Sequence, residues 1–249
     1  MRDNGLEYDF IGEFSNGGLA AICGKSKKWG LINSSGEDVL PCVYDNVWCL
    51  PEFFTLEKNG KLGLVNAQGK IVLPCEYGDI VGDEGAGLEP LFRAKKGEKW
   101  GVVDKNGEAM IPFKFDEVGI PGKNGFTVVR EGEKDAIAGK YGITVPFEYD
   151  FLGECEDGVF IAQKGEKYGL ISSTGDILAP LDFDDIDIFE DGLAKAEKDG
   201  KVGFLDVNGR VAIPFKYCRA SAFKGGIASA QKEDKWYIVD KNGKTVAPR

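Results

Sequence analysis

Between Gly192 and Pro214 the chain reads GLAKAEKDGKVGFLDVNGRVAIP, with two apolar-rich runs flanking KDGK and a third after VNG. Runs this short, separated by Asp-Gly and Asn-Gly, predict β-strands joined by tight turns, because Asn, Asp and Gly enter positive φ with least strain. The same grammar stands at 58–61 (KNGK), 105–108 (KNGE) and 241–244 (KNGK). No apolar spacing of 3.6 residues is sustained anywhere. The expectation is an all-β chain.

The pattern repeats. Pro41, Pro74, Pro112, Pro146, Pro180, Pro214 and Pro248 recur at spacings of 33, 38 and then 34 residues. A glycine stands five positions before six of them (Gly36, Gly69, Gly107, Gly175, Gly209, Gly243), and an aromatic ring three positions after the first six. Aspartate follows the ring at Asp45, Asp116, Asp150 and Asp184. With each unit opening after its proline, the units are 6–41, 42–74, 75–112, 113–146, 147–180, 181–214 and 215–248. Each predicts a meander of three short antiparallel strands, followed by an extended segment around Tyr-Asp. Such units bury their apolar faces only against neighbours, so 1–249 is expected to be a single repeat domain. Closure into a β-propeller-like ring removes exposed edges. An odd strand count per unit argues instead for an open superhelical stack, and the ring is only slightly preferred.

The middle run of the unit begins with Trp29-Gly30 and Trp100-Gly101, and with Leu62-Gly63, Tyr168-Gly169, Val202-Gly203 and Trp236-Tyr237 elsewhere. An aromatic platform for a ligand is one reading. Leu and Val keep the bulk and discard the stacking, which favours a packing role, with glycine permitting close approach. KWGLIN, a glycine turn, VLP and then YD together resemble the bacterial WG-containing repeat family, across seven copies; the fourth, KDAIAGKYGITVP, departs furthest. The resemblance implies a β-rich repeat protein and no shared catalytic residue set.

Charge and chemistry change the picture little. The 31 basic and 41 acidic residues give a net charge of −10, which argues against nucleic acid and is read first as a source of solubility and second as steering toward a basic partner. Absence of an apolar run long enough to span a bilayer, and of a leader-like N-terminus, predicts a cytoplasmic location, and the chain is expected to be a monomer. Histidine is absent, which removes Ser-His-Asp and Cys-His mechanisms and imidazole metal sites. Six cysteines include no CxxC, and Cys42 and Cys75 read as small apolar residues after the repeat prolines. LDFDDIDIFEDG from Leu181 is acid-rich, but Ile186 breaks the alternation that a calcium loop requires. No cofactor, metal or catalytic residue is expected.

Loops that break the repeat are the candidate binding surface. These are 78–90, 119–125 and DNVWCLPEF (45–53), and they suggest a patch of Trp48, Asp83, Glu84, Glu89 and Lys123. The functional expectation is a non-catalytic protein-interaction scaffold for a basic bacterial protein, for example as the immunity partner of a toxin. The alternatives are a small-ligand or carbohydrate-binding module, and a hydrolase built on two carboxylates.

Overall fold

The computed structural model describes residues 8–83, 90–156 and 158–246, and their regular structure is entirely β. Among these residues, seven antiparallel sheets follow one another along the chain. They span 8–44, 46–77, 79–115, 117–149, 151–183, 185–217 and 219–240, and are numbered 1 to 7 in that order. Strands are hydrogen-bonded in chain order, four to a sheet except for three in sheet 7. Sheet 1 is typical, with strands Tyr8–Ile11, Leu19–Gly24, Trp29–Asn33 and Asp38–Tyr44. Among the described residues, no helix is long and apolar enough to cross a membrane.

The expected meander of three strands is therefore corrected to four. The Tyr-Asp segment is not one extended piece: the strand holding Pro41 runs on to Tyr44, and after Asp45 the chain opens the next sheet with Asn46–Cys49. The sheets divide at this aspartate, whereas the sequence units divide at the proline. The resulting even strand number is what a propeller blade needs to begin its successor in the same direction.

Chain contacts divide the protein into two compact units between Phe115 and Asp116. In the first unit, Leu31, Leu40 and Tyr44 of sheet 1 pack with Phe54, Leu56 and Val65 of sheet 2. Leu64, Leu73 and Tyr77 of sheet 2 face Phe92, Ala94 and Val103 of sheet 3. Leu64 and Val65 are adjacent in one strand, so a middle sheet is buried on both faces, and its strands read as continuous apolar runs. In the second unit the same arrangement joins sheet 4 to 5, 5 to 6 and 6 to 7. Burying each such side chain contributes ~1.5–3 kcal/mol.

The glycine of the Trp-Gly pair answers the proline. Opposite it the fourth strand carries extra residues: Trp29 pairs with Tyr44, but Leu31 pairs with Leu40. This bulge brings backbone close, and a Cβ on Gly30 would lie 2.5 Å from the Leu40 carbonyl oxygen. At Gly63, Gly101, Gly169 and Gly203 the corresponding oxygen lies at 2.8 Å. Glycine is required there for space.

Lysine and aspartate staple sheet to sheet. Lys28, at the head of the third strand of sheet 1, bonds Asp45 at the junction, and Asp45 accepts the Asn59 N–H of sheet 2 at 2.6 Å. Lys134 to Asp150 and Lys167 to Asp184 repeat the bond, and Asp150 accepts Gly165 N–H at 2.6 Å. These lysine bonds hold the carboxyls of Asp45, Asp150 and Asp184 below the ordinary aspartate range, with help from the backbone donors. At the last junction Cys218 stands in for aspartate, and Lys201 reaches its Sγ at 3.7 Å.

The Asn-Gly and Asp-Gly turns prove to be two kinds. Asn59-Gly60 and Asp199-Gly200 are two-residue hairpin turns with positive φ at both positions, as expected. KNGE at 105–108 instead joins the third strand of sheet 3 to the fourth through a longer turn, and KNGK at 241–244 makes the same turn after the third strand of sheet 7. There the preceding Asp104 and Asp240 accept backbone N–H groups two and four residues on. Asp206 makes the same turn with Asn208 and Arg210, and the glycines here rest on the sheet before: a Cβ on Gly107 would lie 2.5 Å from Val72 O, and on Gly209 2.2 Å from Leu178 O.

Candidate functional site

In the second unit, the first strands of sheets 5 and 6 border a groove of 310 Å³. Its shape begins with a fault in register in the strand Asp185–Glu190. Ile186 pairs with Ala196 and Phe189 with Ala194, so three steps on one strand match two on the other. The extra residue lets both Ile186 and Phe189 enter the core, although residues three apart face opposite sides of a regular strand. Ile188 is consequently turned outward and is 62% exposed. Asp187 reaches back to Lys195 at 2.7 Å.

Phe151, 42% exposed on the neighbouring strand, supplies the facing ring. Its ring lies over Gly153, where a Cβ would stand 2.8 Å from it. Tyr168, which fills the tryptophan place in sheet 5, completes the apolar lining with Ile161 and Ala222, and Glu190 is exposed on the same strand as Asp187. An apolar floor with carboxylates beside it can receive an apolar side chain and a cation together.

The residues expected from sequence are placed as follows. Trp48 is 47% exposed on Asn46–Cys49, opposite Thr55. Asp83 ends the first strand of sheet 3, paired with Leu91. Glu84 and Glu89 lie outside the described residues. Lys123 is exposed in the turn before the strand Phe126–Glu131. Trp48 and Asp83 belong to the first unit and Lys123 to the second, so neither unit gathers them. The loop around Lys123 is tied to sheet 5, through Asn124 Nδ2 donating to Glu154 Oε1 at 3.1 Å.

Sequence reasoning missed Phe151, Tyr168 and Ile188. The available signal is Ile186, which breaks the acidic alternation. Here the acidic run is largely strand, and three of its carboxylates hold lysines: Asp182 to Lys198, Asp184 to Lys167 and Asp187 to Lys195. Among the described residues, no group of three or more acidic or cysteine side chains is placed to hold a metal. The six cysteines, all among the described residues, form no disulfide; Cys42 and Cys75 are half-buried, whereas Cys49 and Cys218 are exposed. Burial pushes the Cys42, Cys49 and Cys75 thiols up.

The fourth sheet holds the other departure. At the place of the tryptophan stands Asp135, 2% exposed, gripped by Arg130 through Nε at 2.7 Å and a second nitrogen at 3.1 Å. Asp135 Oδ2 also accepts the Leu152 N–H of sheet 5 at 3.0 Å. Every acceptor bond here holds protein to protein, which marks a structural joint.

No curated protein matches the sequence. Solved structures that align over most of the chain include Sqt1 of Saccharomyces cerevisiae, at 12% identity, covering 97% of this chain and 84% of that one, with a TM-score of 0.37. A eukaryotic initiation factor aligns at 10% identity, 97% and 87% coverage and a TM-score of 0.39. A streptogramin B lyase aligns at 18% identity, 95% and 93% coverage and a TM-score of 0.32. The family described as WG containing repeat matches residues 29–61, 63–100, 100–134, 142–168, 168–201 and 203–236. Five of the six matches run from the Trp-Gly position of one sheet into the start of the third strand of the next, and the remaining one, 142–168, begins with the fourth strand of sheet 4. The family unit thus spans a sheet–sheet junction, and the stretch skipped between 134 and 142 is the one that carries Asp135. With most of its length matched, the chain belongs to the WG containing repeat family.

Proposed function

We propose that this protein is a non-catalytic interaction scaffold whose second unit docks a basic, apolar-bearing segment of another protein. The observation that carries the reading is the groove between Phe151 and Ile188, an exposed apolar surface with Asp187 and Glu190 at its side. A net charge of −10 extends the same preference to the whole surface. Lysines on the incoming segment meet the carboxylates, and its apolar side chains cover Ile188 and the Phe151 ring. The bulge at 187–188 blunts the sheet edge against plain strand addition, so side chains carry recognition.

The test is titration with a short peptide of alternating lysine and leucine, read by fluorescence anisotropy at two salt concentrations. Saturable binding that weakens with salt and is lost in the double variant Ile188→Lys, Glu190→Lys supports the reading. Both residues are exposed, so the variant leaves the core intact. Binding that persists unchanged in that variant, or no binding at all, removes the groove as the docking surface. Capture from lysate with wild type and variant in parallel then identifies a natural partner as the protein lost from the variant.

A further inference from the structure

The first unit holds a cavity of a different kind, 420 Å³ in volume, where loops of sheets 1, 2 and 3 meet. Its walls are rich in carboxamides: Asn16 from sheet 1, Asn66 and Gln68 from sheet 2, and Asn106 from sheet 3. Glu52 and Lys105 add one charge of each sign. We infer that this cavity binds a neutral, hydroxyl-rich ligand of the size of one or two sugar rings.

The chemistry of the lining selects that class. A carboxamide offers a donor and an acceptor side by side, which is the complement of a hydroxyl that both donates and accepts. An anion would find one lysine beside a glutamate, and a cation one carboxylate beside a lysine. An apolar ligand would strip water from the amides without replacing their hydrogen bonds. The volume falls within the ~300–1,000 Å³ of ordinary ligand sites.

Part of the wall is rigid and part is uncommitted. Asn66 Oδ1 is held by the N–H groups of Gln68 at 3.1 Å and Lys70 at 3.0 Å, which fixes its amide. Gly17 sits so close to sheet 2 that a Cβ on it would be 2.6 Å from Ala67, so the loops of sheets 1 and 2 touch. The exposed side-chain amides of Asn16 and Gln68 make no hydrogen bond to the described residues. They can turn to a ligand without breaking a bond to the described residues, exchanging only water.

This site lies in a different unit from the peptide groove, so the two readings stand or fall separately. The experiment is an NMR titration of the intact protein, following the side-chain amide resonances of Asn16, Asn66, Gln68 and Asn106. The probes are glucose, galactose, N-acetylglucosamine, maltose and cellobiose, with inorganic phosphate as the charged comparison. The expected result is saturable shifts at these amides with at least one sugar and none with phosphate. The double variant Asn16→Ala, Gln68→Ala should weaken binding about tenfold or more while keeping the unfolding midpoint. No saturable shift with any sugar, shifts with phosphate alone, or unchanged affinity in the double variant would overturn the inference.

Discussion

Trp29 and Asp135 occupy the same place in sheets 1 and 4, each pairing with a tyrosine beyond the bulge, Tyr44 and Tyr149. Trp29 holds the place by packing: it lies against the cluster shared with sheet 2 and meets the Phe10 ring at 5.7 Å. Asp135 holds it by bonding, to Arg130 on its own sheet and Leu152 N–H on the next. The repeat thus demands a join to the following sheet at this point and leaves the chemistry of the join open. The two solutions fail differently, because an apolar contact degrades by degrees whereas a buried ion that loses its partner is left uncompensated.

The largest effect is therefore expected at sheet 4. Asp135→Ala leaves the Leu152 N–H without its acceptor and the Arg130 guanidinium with only Glu117 at 3.5 Å, and should cost about 3 kcal/mol, the lower end for breaking a buried pair because Arg130 keeps that partner and some solvent access. The midpoint of urea unfolding reads the loss, and faster hydrogen exchange at Leu152 locates it. If Asp135→Leu instead matches wild type, the place asks only for bulk, and the contrast with Trp29 dissolves.

The turn glycines sharpen the comparison between a first sheet and a later one. Gly209 has φ +75° and no room for a Cβ beside Leu178 O, whereas Gly36, at φ +81°, has open space around it. Gly36→Ala should cost about 1 kcal/mol from backbone strain alone. Gly209→Ala adds the clash with rigid backbone and should cost about 2–3 kcal/mol. Equal losses in thermal unfolding would mean that the contact with the preceding sheet contributes nothing.

A smaller effect separates the junctions by pH. Asp45, Asp150 and Asp184 have carboxyls depressed below the ordinary aspartate value by their lysines. Groups of this sign contribute stability that is present above the unfolded value, near pH 4, and is lost as pH falls through the lower folded value. Acid should therefore weaken these junctions, while the Lys201–Cys218 junction has no such carboxylate to lose. Asp150→Asn should flatten the acid limb of an unfolding-midpoint profile without changing its neutral-pH shape; an unaltered limb would dismiss the staple at that junction.

The period was legible because it rests on residues with local backbone meaning. Gly60 and Gly200 mark turns, and a proline in each fourth strand marks the bulge that forbids a side chain on Gly30 or Gly203. The opening strand of each sheet was not legible, since Asn46–Cys49 and Glu117–Val118 are too short to show alternation and are set off from the previous strand by one aspartate. The turns at 105–108 and 59–60 share letters but differ in partner, because Asp104 precedes one of them as an acceptor. The groove was hidden for a related reason: a single extra residue at 187–188 moves Ile188 from the expected inner face to the outer one, and no spacing in the sequence announces it.

The least effect is expected where the repeat itself supplies the control. Leu62 fills the place of Trp29 in sheet 2, with Gly63 behind it and Tyr77 opposite, in the same register. Trp29→Leu keeps apolar bulk and forfeits the edge-on contact with Phe10, a pair of the kind that contributes ~0.5–1.5 kcal/mol. A loss of about 1 kcal/mol in the urea midpoint fits a packing knob, and Trp29→Leu with Phe10→Leu should cost less than the sum of the two single changes, because the shared contact is counted once. A loss as large as that of Asp135→Ala would mean that the ring does something in sheet 1 which Leu62 does not do in sheet 2. The two sheets would then not be copies at this position, and the family pattern would conceal a second specialised joint.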